Sequence, residues 1–539
     1  MIGGFPSERS GQLSEPVNYS MDGHPVARKG EKGAEVAEQR TYVSLPSLRA
    51  FAPLRELSRF YHTRSPKPPG GKVVLPACPF AALLILLLVF PGSVRAQAQS
   101  PFLGSVPTGQ ATGTTLELSL KGALERALKY NLGVIESDQN TRVARALRLR
   151  NLNFLLPTLA MRVTGAAEQL NLKALGFNIK LPIPGLSIPA IVGPFSFADA
   201  RAYFSQELFN WADIKNLKSA TQTQTASQFT YKSDRDMVVF TVGDAYLLVI
   251  AYLATVDSIR AQVQTAETLY QNSVDQNKQG VIASIDLLRA HVELQNQQQR
   301  LIAAENQVAI DQLTLARVIG LPNGQEFRLT DTVPYAPLEN ITVEQALAQA
   351  RSTRPDYLSA HAQVRVAELT RQAAGAENYP SLSTTTDFGD IGSPNFGSSH
   401  ETFTFAVTLN VPVFQGSRVR ADKLQADAAL EQRRAELADL DGKIDAQVRT
   451  AFFNLKSSSE LVAVSKSNIN LANQTLEQAR DRFKAGVADN LEVVQAQESV
   501  ASANQSYIAG LYSFNLAKIA LAQAMGVAEQ SALQYLGVK

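Results

Sequence analysis

Leu118-Ser-Leu-Lys-Gly-Ala-Leu-Glu-Arg-Ala127 returns 223 positions later as Ile341-Thr-Val-Glu-Gln-Ala-Leu-Ala-Gln-Ala350. The same offset carries Leu156-Pro157-Thr158-Leu159 onto Tyr379-Pro380-Ser381-Leu382. Past a shorter second insert the offset becomes 206 and maps Ala245-Tyr246 onto Ala451-Phe452, Gly280-Val281 onto Gly486-Val487, Asp286 onto Glu492 and Gly320 onto Gly526. A unit this long is a duplicated half-molecule, not one of the roughly 20–50-residue repeats of a solenoid. Each half reads as a helix, two short strands, a long helix, a turn and a second long helix.

Proline placement supports that order. None occurs between Pro194 and Pro322 or after Pro412, leaving two runs of 127 residues in which helices can continue. Within them Val462, Ser465, Ile469, Ala472, Leu476, Ala479 and Phe483 step by three and four, and Val256, Ile259, Val263, Ala266 and Tyr270 do so in the first half. After the turn, Leu287, Leu294, Leu301, Val308 and Leu315 recur every seven residues, as do Val493, Val500, Tyr507, Phe514 and Leu521. A sustained seven-residue repeat predicts left-handed coiled-coil packing. An ordinary soluble bundle explains this periodicity equally well, but it does not explain the strands.

The strands are expected within 158–209 and 381–411. Thr402-Phe-Thr-Phe-Ala-Val-Thr-Leu-Asn-Val411 places Phe403, Phe405 and Val407 on one face, and Leu159, Met161 and Val163 alternate with Ala160, Arg162 and Thr164. About ten alternating residues is the signature of a membrane-barrel strand, and it predicts a lipid-facing side at Phe403, Phe405 and Val407. Ser196–Tyr203 is the weakest strand, because Asp199 and Arg201 interrupt the pattern. Residues 170–194 and 390–399 are expected to be hairpin loops. Four strands cannot close a barrel, and an open edge is not tolerated in lipid, so strands that span a membrane require oligomerisation.

Composition narrows the function classes. Charged residues make up 19% against 45% apolar, and residues 1–96 hold 12 Lys/Arg against 7 Asp/Glu. Removing that excess turns the net charge from +2 to −3, which leaves no basic footprint for nucleic acid. Phe80–Phe90 is the only long apolar run, 11 residues, with Lys67 and Lys72 ahead of it and Val94-Arg95-Ala96 after it. It is too short to span a bilayer and has the length of a signal-peptide core, so 73–96 is expected to be a signal peptide. Residues 1–72 fit no signal architecture; they are expected to be an unstructured extension or a misplaced start, since no Met lies between Met21 and Met161. Residues 97–115 are expected to be a flexible segment. Cys78, the sole cysteine, stands in Leu75-Pro76-Ala77-Cys78 ahead of the apolar core, whereas a lipobox follows it. The mature chain then has no thiol, and its histidines, His291, His361 and His400, are scattered. No phosphate loop, metal-ligand cluster or nucleophile elbow appears, so no enzyme, cofactor or metal is expected.

The order of pieces, twice over, resembles the outer membrane efflux protein family of TolC-like channels. The resemblance covers about residues 116–530 and rests on Glu207-Leu208-Phe209-Asn210-Trp211, Pro412-Val413-Phe414-Gln415-Gly416 and, most specifically, Arg482-Phe483-Lys484-Ala485-Gly486-Val487-Ala488-Asp489-Asn490-Leu491-Glu492. It implies a mainly α fold with a small membrane β part. Duplicated coiled-coil helices would form a periplasmic tunnel, and four strands from each protomer of a homotrimer would close a 12-stranded outer-membrane barrel in lipid. The linker 321–340 and the tail 527–539 would form an equatorial belt. The hairpins 213–320 and 417–526 would end in turns at Lys278–Ser284 and Lys484–Asn490, built on Gly280 and Gly486. There a periplasmic adaptor (membrane fusion protein) would dock and couple the duct to an inner-membrane transporter.

The resemblance also implies a periplasmic gate. Glu492 stands where the family places the first acidic residue of its constriction, and Gln495 where it places a second. Phe483 and Ala488 replace the family's Tyr and Arg, so Asp286 lacks the hydroxyl it would bond. Glu492 and Asp286 read equally well as carboxylates favoured at helix N-termini. The resulting expectation is a passive trimeric outer-membrane exit duct for efflux or type I secretion; the alternative is a structural periplasmic coiled-coil or adaptor-like protein without a pore. The mature protein is expected to begin at Gln97 or Gln99 without lipid, and N-terminal sequencing of outer-membrane material checks this; a chain retaining acylated Cys78 would overturn it.

Overall fold

Without proline to stop them, both long runs become pairs of helices in the computed structural model, which describes residues 100–177, 189–332, 335–338, 341–394 and 397–537. The expected extension, signal peptide and Cys78 lie outside the described residues, as does 178–188 of the proline-rich segment. In chain order the elements are β1 (Leu116–Leu118), α1 (Leu120–Tyr130), α2 (Leu132–Asn153), β2 (Thr158–Asn171), β3 (Ile191–Phe209), α3 (Trp211–Lys278) and α4 (Ser284–Ile319). The second repeat gives β4 (Phe327–Leu329), α5 (Val343–Thr353), α6 (Pro355–Ala376), β5 (Ser381–Gly392), β6 (Ser399–Asn410), α7 (Arg418–Lys484), α8 (Asn490–Ala524) and α9 (Ala528–Leu536). At 68 and 67 residues, α3 and α7 each run roughly 100 Å.

The single opening helix expected in each repeat is two helices. Pro355 has no N–H to give a preceding turn, but its fixed φ suits a helix start, so α5 ends and α6 begins around Arg354. In the first repeat Leu132 holds that place and Asn131 makes the break instead, its side chain accepting from the Gly133 N–H at 2.9 Å. Both break residues also cap the C-terminal end of their repeat's last long helix. Asn131 Nδ2 donates to Val318 O at 3.3 Å, and Arg354 Nη1 donates to Ala524 O at 3.3 Å. Val318 and Ala524 are themselves equivalent at the 206 offset.

The principal core lies at this level. Val238, Val239, Val242, Tyr246, Leu247 and Val249 of α3 are all buried there with Leu315, Ile319, Ile444, Val448, Leu521 and Met525. The helix α3 contains a window long and apolar enough to cross a membrane by length and composition, 39% of it buried, so the Phe80–Phe90 run is not the chain's only long apolar stretch. Around the core, β1 and β4 pair in parallel, and the Tyr246 hydroxyl lies 3.0 Å from Leu118 O and 3.1 Å from Asp331 Oδ2. One expectation needs correction here: residues 100–115 are tied down, through Val106 N–H to Tyr130 O (2.9 Å) and Leu132 N–H to Gly104 O (3.0 Å). Within the tail, the helix α9 is fixed to α3 by the Arg235–Glu529 ion pair and by Asp236 accepting the Glu529 N–H at 2.9 Å.

The strands form one antiparallel sheet in the order β2-β3-β5-β6. They are longer than expected, 14 and 19 residues in the first hairpin, so β2 and β3 take both ends of the segment expected to be a loop. Directly opposed residues share a face, and the register makes rows across the sheet. Met161, Ala202, Phe388 and Phe403 form one row, and Leu159, Phe204, Thr386 and Phe405 the next on the same face. Between them, on the other face, lies the row Ala160, Tyr203, Asp387 and Thr404. The stretch that reads as the weakest strand is part of β3. Ala198, Ala200 and Ala202, too weakly hydrophobic to stand out, lie on the apolar face, and Asp199 and Arg201 share the other face with Phe197 and Tyr203. Arg201 is bonded there to Asp199 (2.8 Å) and Asp387 (3.2 Å), which offsets its position directly across from Arg162. Gly389 lets β3 and β5 close, since a Cβ there would lie 2.0 Å from Ala200 O.

This face assignment makes a prediction. Phe405→Arg, on the apolar face, is expected to cost ~2–4 kcal/mol of membrane-inserted stability and to impair barrel assembly. Thr404→Arg, one residue away on the polar face, is expected to assemble and mainly alter conductance. Outer-membrane levels of the heat-modifiable oligomer measure the difference, and equal tolerance at both positions contradicts the assignment.

Candidate functional site

Far from the sheet, each pair of long helices reverses through the same motif. Gly280 and Gly486 adopt φ of 73° and 71°, a left-handed conformation that residues with a Cβ rarely take. The Gly280 N–H bonds Asn277 O and the Val281 N–H bonds Gln276 O; Gly486 and Val487 repeat this on Phe483 O and Arg482 O. Such paired bonds satisfy the carbonyls that a helix end leaves open. Val281 and Val487 then project as exposed apolar tips.

Behind the turns a small second core joins all four helices. Leu269, Ala290, Leu476, Ala479, Val493 and Ala496 are buried in it, with Tyr270, Phe483, Val494 and Val500 packed against them. Phe483 thus packs inward among apolar side chains, and Tyr270 stacks on His291 at 4.9 Å. The seam above it is polar. The amide of Gln497 is buried with neither its nitrogen nor its oxygen hydrogen-bonded, and an open cavity of about 620 Å³ between α3, α4 and α8 is lined by Ser258, Gln262, Arg300, Glu498 and Ser502. Unsatisfied buried amides cost free energy, so cohesion between the hairpins at this end rests mainly on the small apolar cluster.

The carboxylates expected at the gate have unlike surroundings. Glu492 is in the first turn of α8, where Asp489 caps the helix by accepting the Glu492 N–H at 3.3 Å. Its carboxylate, 39% exposed, reaches back across the turn to Arg482 at 3.4 Å. Asp286, 21% exposed, bonds Arg289 of its own helix at 3.2 Å. Gln495, one turn beyond Glu492, is exposed. Two residues that sequence reasoning did not single out belong to the arrangement. Arg482 is the counter-charge of Glu492, and buried Asn490 donates from Nδ2 to Asp286 O at 3.3 Å, joining one hairpin to the other. Neither contact follows a helical spacing, so neither had a sequence signal.

A sequence profile of the outer membrane efflux protein family matches residues 198–321 and 346–527. The chain belongs to that family. It is 26% identical to the outer membrane protein OprJ of Pseudomonas aeruginosa over 337 residues, 59% of this chain and 68% of OprJ. It is 24% identical to the outer membrane efflux protein BepC of Brucella suis over 453 residues, 80% of this chain and 90% of BepC. The open-state structure of the Neisseria gonorrhoeae MtrE outer membrane channel superposes with a TM-score of 0.64 at 17% identity, covering 79% of this chain and 95% of MtrE. As a member of the outer membrane efflux family, the chain is an outer-membrane channel protein serving efflux or secretion, in a family of transporters rather than enzymes. Duplicated long helices and a four-stranded sheet are the fold this membership leads one to expect.

Proposed function

We propose that three copies of this chain close into one duct, with the apolar sheet face in outer-membrane lipid and the turns at Gly280 and Gly486 as its periplasmic mouth. The observation that carries this is the repetition of free edges along the molecule. In the sheet, β2 and β6 are the outer strands. Below it the helices neighbour one another in the order α2, α3, α6, α7, and toward the turns in the order α4, α3, α8, α7. The outer helices are apolar where nothing covers them. Ile285, Leu288, Val292, Ile302 and Leu313 are exposed on α4, Phe453, Leu461, Val464 and Leu471 on α7, and Val143, Leu147 and Leu149 on α2. Edges that differ on the two sides call for head-to-tail association, which forms a ring where the rotation between copies closes.

The same reading makes the turns the docking point for a periplasmic adaptor, through exposed Val281 and Val487, with an inner-membrane transporter supplying the energy. An intact heat-modifiable trimer extracted from outer membrane, forming pores in planar bilayers, is the expected result. A protein released from the periplasm without pores supports the coiled-coil alternative.

Glu492 is the gate residue in this reading. Three copies bring three carboxylates to the mouth, where they repel one another and favour cations, while Arg482 holds each partly neutralised. Glu492→Gln is expected to lower cation selectivity and block by multivalent cations several-fold with little change in trimer stability. Arg482→Gln is expected to raise both. Gln495→Glu, adding a second ring one turn deeper, is also expected to raise selectivity. Reversal potentials in planar bilayers measure the effects. Unchanged selectivity with lowered thermal stability in Glu492→Gln would mean that the carboxylate only serves its helix.

A further inference from the structure

Where the sheet meets the helices, a cleft of about 300 Å³ opens between α3, α6 and α7, lined by Trp211, Lys215, Arg371, Gln372, Tyr379 and Lys423. Its side of the wall can be read from the strands. Phe209 pairs with Leu382, and Leu382 with Leu409, all on the apolar face. The Trp211 ring lies 6.2 Å from that of Phe209, so the cleft opens on the apolar side. Its depth follows too. Trp211 starts α3 two residues after β3 ends, and Lys215 lies one turn, roughly 6 Å, further along. That is the thickness of the headgroup layer beside the hydrocarbon, the zone where Trp and Tyr concentrate and lysines extend toward phosphate.

The charges are unbalanced. Arg371 is paired with Asp427. Lys215 Nζ has a neutral partner, Gln372 Oε1 at 2.8 Å, and lies 4.9 Å over the Trp211 ring. Lys423 is exposed and makes no bond among the described residues. Two cations thus face one cleft without a carboxylate for either. The repeat does not impose this. At the duplicated positions Lys215 becomes Ala421, Lys423 becomes Leu217, Tyr379 becomes Leu156 and Gln372 becomes Leu149, leaving only Arg148 for Arg371.

We infer that this cleft binds the phosphate of an anionic phospholipid in the inner leaflet, Lys215 and Lys423 taking the phosphate and Trp211 and Tyr379 flanking the glycerol. The inference rests on the reading that the apolar face meets lipid. Native mass spectrometry of the detergent-solubilised trimer, titrated with phosphatidylglycerol or phosphatidylethanolamine, tests it. Wild type is expected to retain phosphatidylglycerol on the order of tenfold or more over phosphatidylethanolamine. K215Q/K423Q is expected to lose that preference, and K215R/K423R and the remote K443Q/K466Q to keep it. Equal retention of both lipids by wild type, or undiminished preference in K215Q/K423Q, overturns the inference. Displacement of the lipid by millimolar inorganic phosphate makes the cleft a soluble-anion site and overturns it as well. If the double variant fails to assemble, K423Q alone is decisive, because Lys423 makes no bond whose loss could unfold the chain. Bilayer conductance of the same preparation separates the two readings: conducting trimers without lipid preference sink only this inference, and absent conductance sinks the duct itself.

Discussion

A peptide group left without a hydrogen bond in hydrocarbon costs several kcal/mol, and the four-stranded sheet ends in two strands, β2 and β6, with one side free. Water could satisfy those groups, but lipid cannot. Once the apolar face of the sheet is placed in a membrane, the free edges have to meet each other, and every level beneath must follow the same closure. That constraint gives meaning to the uncovered apolar stripes on α2, α4 and α7, which on a monomer in water would be an aggregation hazard.

Most of this architecture was legible in the chain because duplication lets one half check the other. Gly280 alone is a weak turn signal, but Gly280 and Gly486 at matched positions between proline-free runs define two reversals. The misreadings have physical causes. The break at Asn131 has no sequence signal, because an asparagine cap lacks a covalent signature comparable to that of Pro355 at the matched break. The strand around Ser196–Tyr203 looked weak because alanine on its apolar side carries little hydropathy. The apolar stretch of α3 does not read as one run because Asp244 and scattered Thr and Tyr interrupt it, although Val238, Val239, Val242, Tyr246, Leu247 and Val249 within it are buried.

The candidate gate was legible only in part. Glu492 and Asp286 follow from the 206 offset and from their places in a first helical turn. Their bonding partners do not. A pair from Arg482 to Glu492 crosses a turn whose geometry is fixed by Gly486, and sequence spacing says nothing about reach across a turn. The packing of Phe483 into the tip cluster likewise depends on where the second hairpin lies, which is tertiary information.

The two repeats are alike where backbone must be satisfied and unlike where chemistry is at stake. Asn131 and Arg354 share no side-chain chemistry beyond an N–H donor, yet both cap the matched carbonyls Val318 O and Ala524 O; there the fold accepts any donor that reaches. At the tips, by contrast, Asp286 is closed onto its own helix while Glu492 stays nearly twice as exposed with its partner across the turn. At the sheet boundary one kind of seam carries Lys215, Lys423 and Trp211, and the matched positions of the other carry Ala421, Leu217 and Ser417. In the proposed ring, backbone equivalence would close the wall, while the divergence between the halves would leave chemically distinct surfaces at the mouth and at the membrane boundary.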